Sequence, residues 1–265
     1  MAFRVATYNV LATAYLSRGN YRTPSDLLRP ERRVPALTAH IASLDADLLC
    51  LQEVEDDVFN ALDRHLSAAG YAGCYERKGG DRPDGCATFY RRSRFVPRQT
   101  KRVDYHDREG GPEKHSGCIA QLSWLEVDGR LLGVANTHLR WDRPGTPRDR
   151  QIGFRQAVEL LAQCRGAQPA VDGWIICGDF NGAEGSDVFR EMSDAGFLSA
   201  HAGRPGVRSS VANGKAKLID FVFHSAALIA RPLDPSPVSD DSVLPCQGQP
   251  SDHLALEADL DWRTV

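Results

Sequence analysis

Strand-like and helix-like segments mix along the whole of this chain, which predicts an α/β protein with two sheets packed together and helices outside them. Short apolar runs, such as residues 47–52 and 174–177, read as buried strands. Amphipathic segments with apolar residues three and four apart lie among them. No linker divides the 265 residues, so the chain reads as one domain, 1–265.

The elements follow in order. Residues 3–10 form a first strand reaching Asn9. Residues 30–44 form a helix, with Pro30 in its first turn and Val34, Leu37, Ile41 and Leu44 on one face. After the strand at 47–52, residues 55–69 make a second helix on Val58, Leu62 and Leu66, ended by Gly70. Residues 84–91, 118–127 and 130–136 read as strands, the last two joined by the hairpin turn Asp128-Gly129. The polar stretch 104–117 reads as a loop. Residues 148–165 form a third helix with Ile152, Val158, Leu161 and Cys164 inward. A strand at 174–177, a helix at 186–195 and strands at 218–223 and 255–260 complete the set, and 234–249, rich in Pro and Ser, is a surface loop. No internal repeat is visible.

Composition narrows the function classes. Hydrophobic residues make up 42%, enough for a sizeable core, and the net charge of −3 argues against a basic nucleic-acid binder as a whole. Arg outnumbers Lys by 27 to 5; guanidinium forks suit phosphate, though codon bias gives the same count. Seven Cys residues, an odd number with no Cys-x-x-Cys, argue against a disulfide framework or a zinc ribbon. Cys50 and Cys177 are expected to pack as small hydrophobes. No apolar run approaches the ~20 residues that span a bilayer. The first residues enter a strand directly without a signal-peptide pattern. The expectation is a reduced, cytoplasmic location, no membrane and no obligate protein partner.

Six segments each bring a chemically capable residue to the C-terminal end of an apolar strand: Asn9; Glu53; Asn136 with His138; Asp179 with Asn181; Asp220; and Asp252 with His253. Strand ends on a rigid sheet are where α/β enzymes gather active sites. Each residue has a plainer reading. Asn9 can cap a turn, Glu53 can stabilise a helix start, His138 can be a core histidine, and Asp179 with Asn181 can form an Asx-turn. Asp220 is the hardest to dismiss, because a carboxylate amid five apolar residues needs a partner.

Phosphodiester cleavage gives the set a job. Glu53, with Asn9 and Asp252, can hold a hard cation such as Mg²⁺ through oxygen. Asp179 can deprotonate a water that Asn181 fixes. His138 and His253 can donate to the phosphoryl oxygens. Asp220 can set the tautomer of His253 and favour its cation.

The ordered words Thr7-Tyr8-Asn9-Val10-Leu11-Ala12, Leu51-Gln52-Glu53-Val54, Asn136-Thr137-His138-Leu139, Gly178-Asp179-Phe180-Asn181, Ile219-Asp220-Phe221 and Ser251-Asp252-His253 resemble the endonuclease/exonuclease/phosphatase superfamily, over residues 3 to about 258. The resemblance implies a four-layered αββα sandwich and a Mg²⁺ or Mn²⁺ cofactor. Tyr8-Asn9-Val10-Leu11, Asp84-Gly85-Cys86-Ala87-Thr88-Phe89-Tyr90 and His138-Leu139-Arg140-Trp141-Asp142 are most similar to the branch of carbon-catabolite-repression-type deadenylases, nocturnin, Angel-type proteins and 2′-phosphodiesterases. In its deadenylases a Pro after the Trp-Asp step and an aromatic five residues before the strand Asp sandwich adenine. Arg143 (followed by Pro144) and Lys215 stand at those positions here. Asn136, Arg140, Trp141, Arg143 and Lys215 are therefore the expected substrate-binding residues.

Two basic stretches offer guidance to a phosphate chain. Arg91, Arg92, Arg94, Arg98, Lys101 and Arg102 form one; Arg140, Arg143, Arg148, Arg150 and Arg155, following His138, form the other. The expected function is a metal-dependent phosphodiesterase with RNA or a nucleotide phosphoester as substrate, foremost a 3′ exoribonuclease on short single-stranded RNA or oligonucleotide ends. The alternative is a small-molecule phosphatase or cyclic phosphodiesterase for 2′,3′-cyclic phosphate ends, dinucleotides or phosphorylated head groups.

Overall fold

The computed structural model describes residues 1–18, 21–107 and 115–264. Two six-stranded mixed sheets lie face to face, with helices on both outer sides. The first sheet takes β1 (Phe3–Asn9), β2 (Leu48–Glu55), β3 (Tyr71–Arg77), β4 (Asp84–Arg91), β13 (Leu228–Leu233) and β14 (Leu256–Trp262), in the order β13-β14-β1-β2-β4-β3. The second takes β5 (Val96–Asp104), β6 (Ile119–Val127), β7 (Arg130–His138), β8 (Gly173–Asp179), β9 (Leu198–Ser199) and β12 (Asp220–His224), in the order β5-β6-β7-β8-β12-β9. A short hairpin, β10 (Ser210–Ala212) with β11 (Lys215–Lys217), stands apart.

Alternation along the strands builds the layers. Val5, Leu48, Cys50, Leu132, Val134, Ile175, Cys177 and Val222 meet between the sheets. Their neighbours Ala6, Tyr8, Leu49 and Leu51 face outward onto α1 (Pro30–Ser43) and α2 (Asp56–Ala68). Trp174, Ile176, Phe221 and Phe223 do the same toward α3 (Ile152–Arg165) and α4 (Asp187–Asp194). Both faces of the central strands are thus covered, which is why they read as continuous apolar runs.

The two sheets share a wiring pattern. β1 and β2 are parallel, and each has an antiparallel outer neighbour, β14 and β4. β7 and β8 are parallel, flanked in the same way by β6 and β12. The helices α1 and α3 make the two crossovers.

Several boundaries differ from expectation. β3, β5, β9 and β13 were not foreseen, and all four are sheet edges. Edge strands are covered on fewer sides and carry polar residues or proline. The first six residues of β5 are exposed, and β13 contains Pro232. Asp104, expected in a loop, closes β5; 105–107 and 115–117 are irregular, and the rest of that expected loop, 108–114, lies outside the described residues. α3 begins at Ile152 after a 3₁₀ turn at Arg148–Arg150, and it buries Gly153, Gln156, Ala157, Leu160, Leu161 and Cys164. Val158, expected inward, is 37% exposed because the buried stripe runs through Ala157 instead. All seven cysteines are free thiols, Cys50 and Cys177 buried among them. No helix among the described residues is long and apolar enough to cross a membrane.

Candidate active site

The two parallel pairs end beside one another. Asn9 closes β1 and Asp179 closes β8. The Asn9 amide donates across the gap between the sheets to Asp179 Oδ2 at 3.0 Å and within its own sheet to Glu53 Oε1 at 3.1 Å. His138 closes β7 in register with Asp179. Asp220 and His253 arrive differently from expectation. Asp220 opens β12, opposite Asp179, and Asp252 and His253 precede β14. Because β12 and β14 run antiparallel to their neighbours, their starts reach the same rim as the other strands' ends.

Three turns at this rim hold left-handed backbone outside glycine: Leu11 at φ 57°, Glu53 at 56° and Asn181 at 51°. Such conformations cost of order 1–3 kcal/mol and persist where surrounding contacts enforce them. Those contacts are present. Leu11 N–H donates to Asn9 Oδ1, Ala12 N–H donates to Glu53 Oε2, and Asn181 N–H donates to Asp179 Oδ1, all within 2.9–3.0 Å. Glu53 sits at a bulge between Gln52 and Val54, which turns its side chain into the cleft. Gly178 lets β7 and β8 close up at this point, since a Cβ there would lie 2.0 Å from Thr137 O.

The result is a cleft of about 230 Å³ lined by Glu53, His138, Asp179, Asn181 and His253, with Arg140 and Trp141 at its rim. Asp179 Oδ2 lies 3.7 Å from both His138 Nε2 and His253 Nε2. Behind His253, Asp220 Oδ2 meets Nδ1 at 2.8 Å. Ser251 Oγ donates to Asn9 O at 2.7 Å and accepts from His253 N–H, tying this turn to β1.

Burial and charge set the protonation states. Burial, reinforced by the neighbouring Asp220, pushes the Asp179 carboxyl up to about 7. Burial also raises Glu53, with Asp84 and Asp252 adding to it against the opposing pull of Lys78. His138 is held well below the ordinary histidine range by burial and by the Lys78 and His253 charges. Burial pulls His253 down as well, but Asp220, Asp179 and Asp252 outweigh it and hold the imidazole well above that range. One histidine is therefore biased toward its neutral form and the other toward its cation, each 3.7 Å from the same oxygen of Asp179.

Lys78, absent from the sequence reading, completes the cleft together with Tyr15, Arg82 and Cys118. Its ammonium is buried, 2.7 Å from Asp84 and 3.2 Å from His138 Nδ1. Burial opposes the charge, yet Asp84 and Glu53 keep Lys78 above its usual range. Tyr15 donates to Asp84 Oδ1 at 2.6 Å. Asn181 Nδ2 lies 3.1 Å from His138 Nε2, so two nitrogen donors compete for the single acceptor of a neutral ring. The signal for Lys78 was its rarity, a lysine beside two glycines in a chain of 27 arginines.

The remaining expected residues divide. Asn136, expected at the substrate, is fully buried between the sheets; its amide donates to Leu51 O and Ala87 O and accepts from Gln52 Nε2. It fastens the sheets instead. Lys215 lies on the β10–β11 hairpin, where its ammonium pairs with Asp240 at 3.1 Å, and it lines neither the cleft nor the pocket beside it. Arg143 lines that neighbouring pocket. Asn9, expected to help hold metal, turns its amide nitrogen to the carboxylates, and its oxygen is engaged by Leu11 N–H. An NH₂ group does not ligate a cation, so its place is that of a bridge. Asp252 is 7% exposed; Oδ2 accepts from Tyr21 at 3.1 Å, and Oδ1 has no hydrogen-bond partner among the described residues.

Of the basic stretches, the first is spent on the fold: Arg91 on Asp45 and Asp47, Arg94 on the carbonyls of Met1 and Ala2, Arg98 on Glu126, and Arg102 on Asp104. In the second, Arg148 pairs with Glu191 and packs over the Phe154 ring. Oxygen-rich side chains suited to a hard cation are present. Asp179, Asp220 and His253 offer ligand atoms within 4.8 Å of one another, and Asp220 Oδ1, like Asp252 Oδ1, is buried without a hydrogen bond among the described residues. A protonated imidazole is a poor ligand, which favours the carboxylates for that role.

Comparison with known proteins places the chain in a family. Protein angel homolog 2 of Danio rerio is 30% identical over 205 residues, which cover 72% of this chain and 35% of that protein. The 2′,5′-phosphodiesterase 12 of Homo sapiens is 26% identical over 323 aligned positions, covering 98% of this chain and 52% of that one. The chain thus spans about a third to a half of the length of these two relatives. Among solved structures, ANGEL2, a 2′,3′-cyclic phosphatase in complex with adenosine-2′,3′-vanadate, superposes with a TM-score of 0.82 at 23% identity, over 98% of this chain and 95% of that one. The human Nocturnin catalytic domain with bound sulfate follows at 0.75 and 25%, over 99% and 95%. A family model matches residues 6–253, from the first strand to the second cleft histidine, and the chain belongs to the Endonuclease/Exonuclease/phosphatase family.

Proposed function

We propose that the protein is a divalent-metal-dependent phosphodiesterase that shortens single-stranded RNA or oligonucleotides from the 3′ end. One arrangement supports this reading: a buried carboxylate, Asp179, raised to about 7, with His138, held low, and His253, held high, each 3.7 Å from its Oδ2. A base with a pKa near the working pH is the efficient one. Asp179 takes the proton of the attacking water, and Asn181, pinned to Leu139 O at 2.9 Å, limits where that water can sit. The His253 cation, oriented by Asp220, donates through Nε2 to a phosphoryl oxygen as charge builds there. Lys78 adds a fixed positive charge on the other side. Glu53, with Asp252 close to it, would hold the cation. Mg²⁺ or Mn²⁺ bound there supplies Lewis-acid neutralisation of the phosphoryl group.

The test is metal-dependent shortening of 5′-labelled RNA, with the Asp179→Asn protein alongside. EDTA should stop the reaction and Mg²⁺ or Mn²⁺ restore it. Activity that survives both chelation and the substitution would overturn the reading. A second reading, opening of 2′,3′-cyclic phosphate ends, is favoured by the likeness to ANGEL2 with its adenosine-2′,3′-vanadate. RNA ending in a cyclic phosphate, incubated in parallel, distinguishes it: loss of the cyclic end without shortening selects the second reading.

A further inference from the structure

A second pocket, of about 200 Å³, opens beside the cleft and shares Arg140 and Asn181 with it. Arg143 and Arg190 line it as well, with Asp142 and Asp187. Both acids have partners, Arg190 being one of them. Asp142 spends its two oxygens on the start of α3, accepting from Ile152 N–H and Gly153 N–H at 2.8 Å each. Asp187 accepts from Gln151 Nε2 at 2.8 Å and from Arg190 at 3.1 Å. The Arg143 guanidinium makes no ion pair or hydrogen bond among the described residues.

Among the described residues the pocket offers no aromatic face for a base. Phe180, its one ring, is 1% exposed and packed among Phe221 and Phe223. A base needs such a face to stack. An anion needs donors in a fork, which the Arg143 guanidinium presents.

We propose that this pocket binds a second phosphate of the substrate, one nucleotide removed from the phosphodiester being cut. The phosphate has two possible sources, the next internucleotide linkage or a terminal phosphate monoester. The proposal rests on the phosphodiesterase reading above and narrows it to substrates that carry phosphate on both sides of one nucleoside.

The test compares kcat/KM for three oligonucleotides of one base: a dinucleotide with free hydroxyl ends, the same dinucleotide with a terminal phosphate, and a trinucleotide. One added charge-assisted contact of about 1.4 kcal/mol corresponds to a tenfold preference, so the phosphate-bearing substrates should gain about tenfold. Arg143→Ala should erase most of that gain, and Arg143→Lys should keep part of it. A gain for the phosphorylated dinucleotide alone identifies a terminal phosphate as the source, and a gain for the trinucleotide identifies the linkage. No gain in the unmodified protein, or a gain untouched by Arg143→Ala, overturns the proposal. If none of the three is hydrolysed, the phosphodiesterase reading fails by itself. Calorimetric binding of the same oligonucleotides to the Asp179→Asn protein then decides the pocket: tighter binding that depends on the added phosphate and on Arg143 supports it, and equal binding sinks it.

Discussion

Asp179 is the residue on which most of the proposed chemistry converges, and its surroundings say what losing the charge does. Asn9 Nδ2 and Asn181 N–H donate to its two oxygens, so an amide in its place keeps the outline and loses the base, and its NH₂ faces one of those donors. Asp179→Asn should lower turnover by about 10²–10⁴-fold, the usual worth of a general base, with an unchanged circular dichroism spectrum. Lys78 makes a different prediction. Removing one partner of a buried ion pair strands the other, at a cost of about 3–5 kcal/mol. Lys78→Met should therefore shift the urea midpoint sharply downward, and Lys78→Met with Asp84→Leu should recover most of the loss. Glu53 separates backbone from side chain. Both Glu53→Ala and Glu53→Gly should be inactive if the residue holds the metal. The glycine variant should be the more stable of the two by about 1–2 kcal/mol, since only alanine pays for the left-handed φ of 56°. Equal stabilities in chemical denaturation would show that the bulge relaxes. The site residues with short sequence words around them were legible as candidates. Lys78 was not, because a lysine in a polar stretch looks solvated until a strand turns it inward against Asp84.

At the scale of the element, the approach of β7 to β8 sets the His138–Asp179 spacing. Gly178→Ala would drive a Cβ against the backbone of Thr137, which belongs to a central strand and has nowhere to move. The variant should lose activity and be destabilised by at least about 1–3 kcal/mol, read from denaturation and turnover together. The legibility of the elements follows their position. Central strands such as β2, β8 and β12 announce themselves by unbroken apolar runs because both faces are covered. The edges β3, β5, β9 and β13 carry no such run, and their strand character comes from the neighbour they pair with, which no local pattern records. Asn136 was misread for a related reason. Its word borders His138, and strand alternation puts both on the inner face, but Asn136 lies one step deeper between the sheets, where Gln52 and the carbonyls of Leu51 and Ala87 satisfy it.

Across the whole molecule, three histidines away from the cleft report on pH. Burial lowers His40, His201 and His224 alike. An unfolded histidine titrates near about 6.5. Below that value the unfolded chain takes up protons that the folded chain refuses, so stability rises with pH between the folded and the unfolded values. These three rings should therefore lower the thermal midpoint as pH drops from 7 toward 5, against the opposite pull of the raised Asp179 and Glu53 carboxyls. A His201→Gln protein, if the fold tolerates it, should lose less stability over that interval than the unmodified protein; an identical pH dependence would mean that the ring protonates in place. The layered architecture was legible from the mixing of strands and helices. The repeated wiring of the two sheets was not, since it lies in pairing direction and not in any shared word.

That wiring has a last consequence, in time instead of space. The hydrogen bond from Ser251 to the Asn9 carbonyl joins residues 242 positions apart, and β14 zips onto β1 only after Leu256–Trp262 has been made. A nascent chain still holding its last strand in the ribosomal tunnel already carries Glu53, His138 and Asp179, but no imidazolium stands beside that carboxylate. If the protein cuts RNA, a chain whose β14 has not yet joined β1 should not.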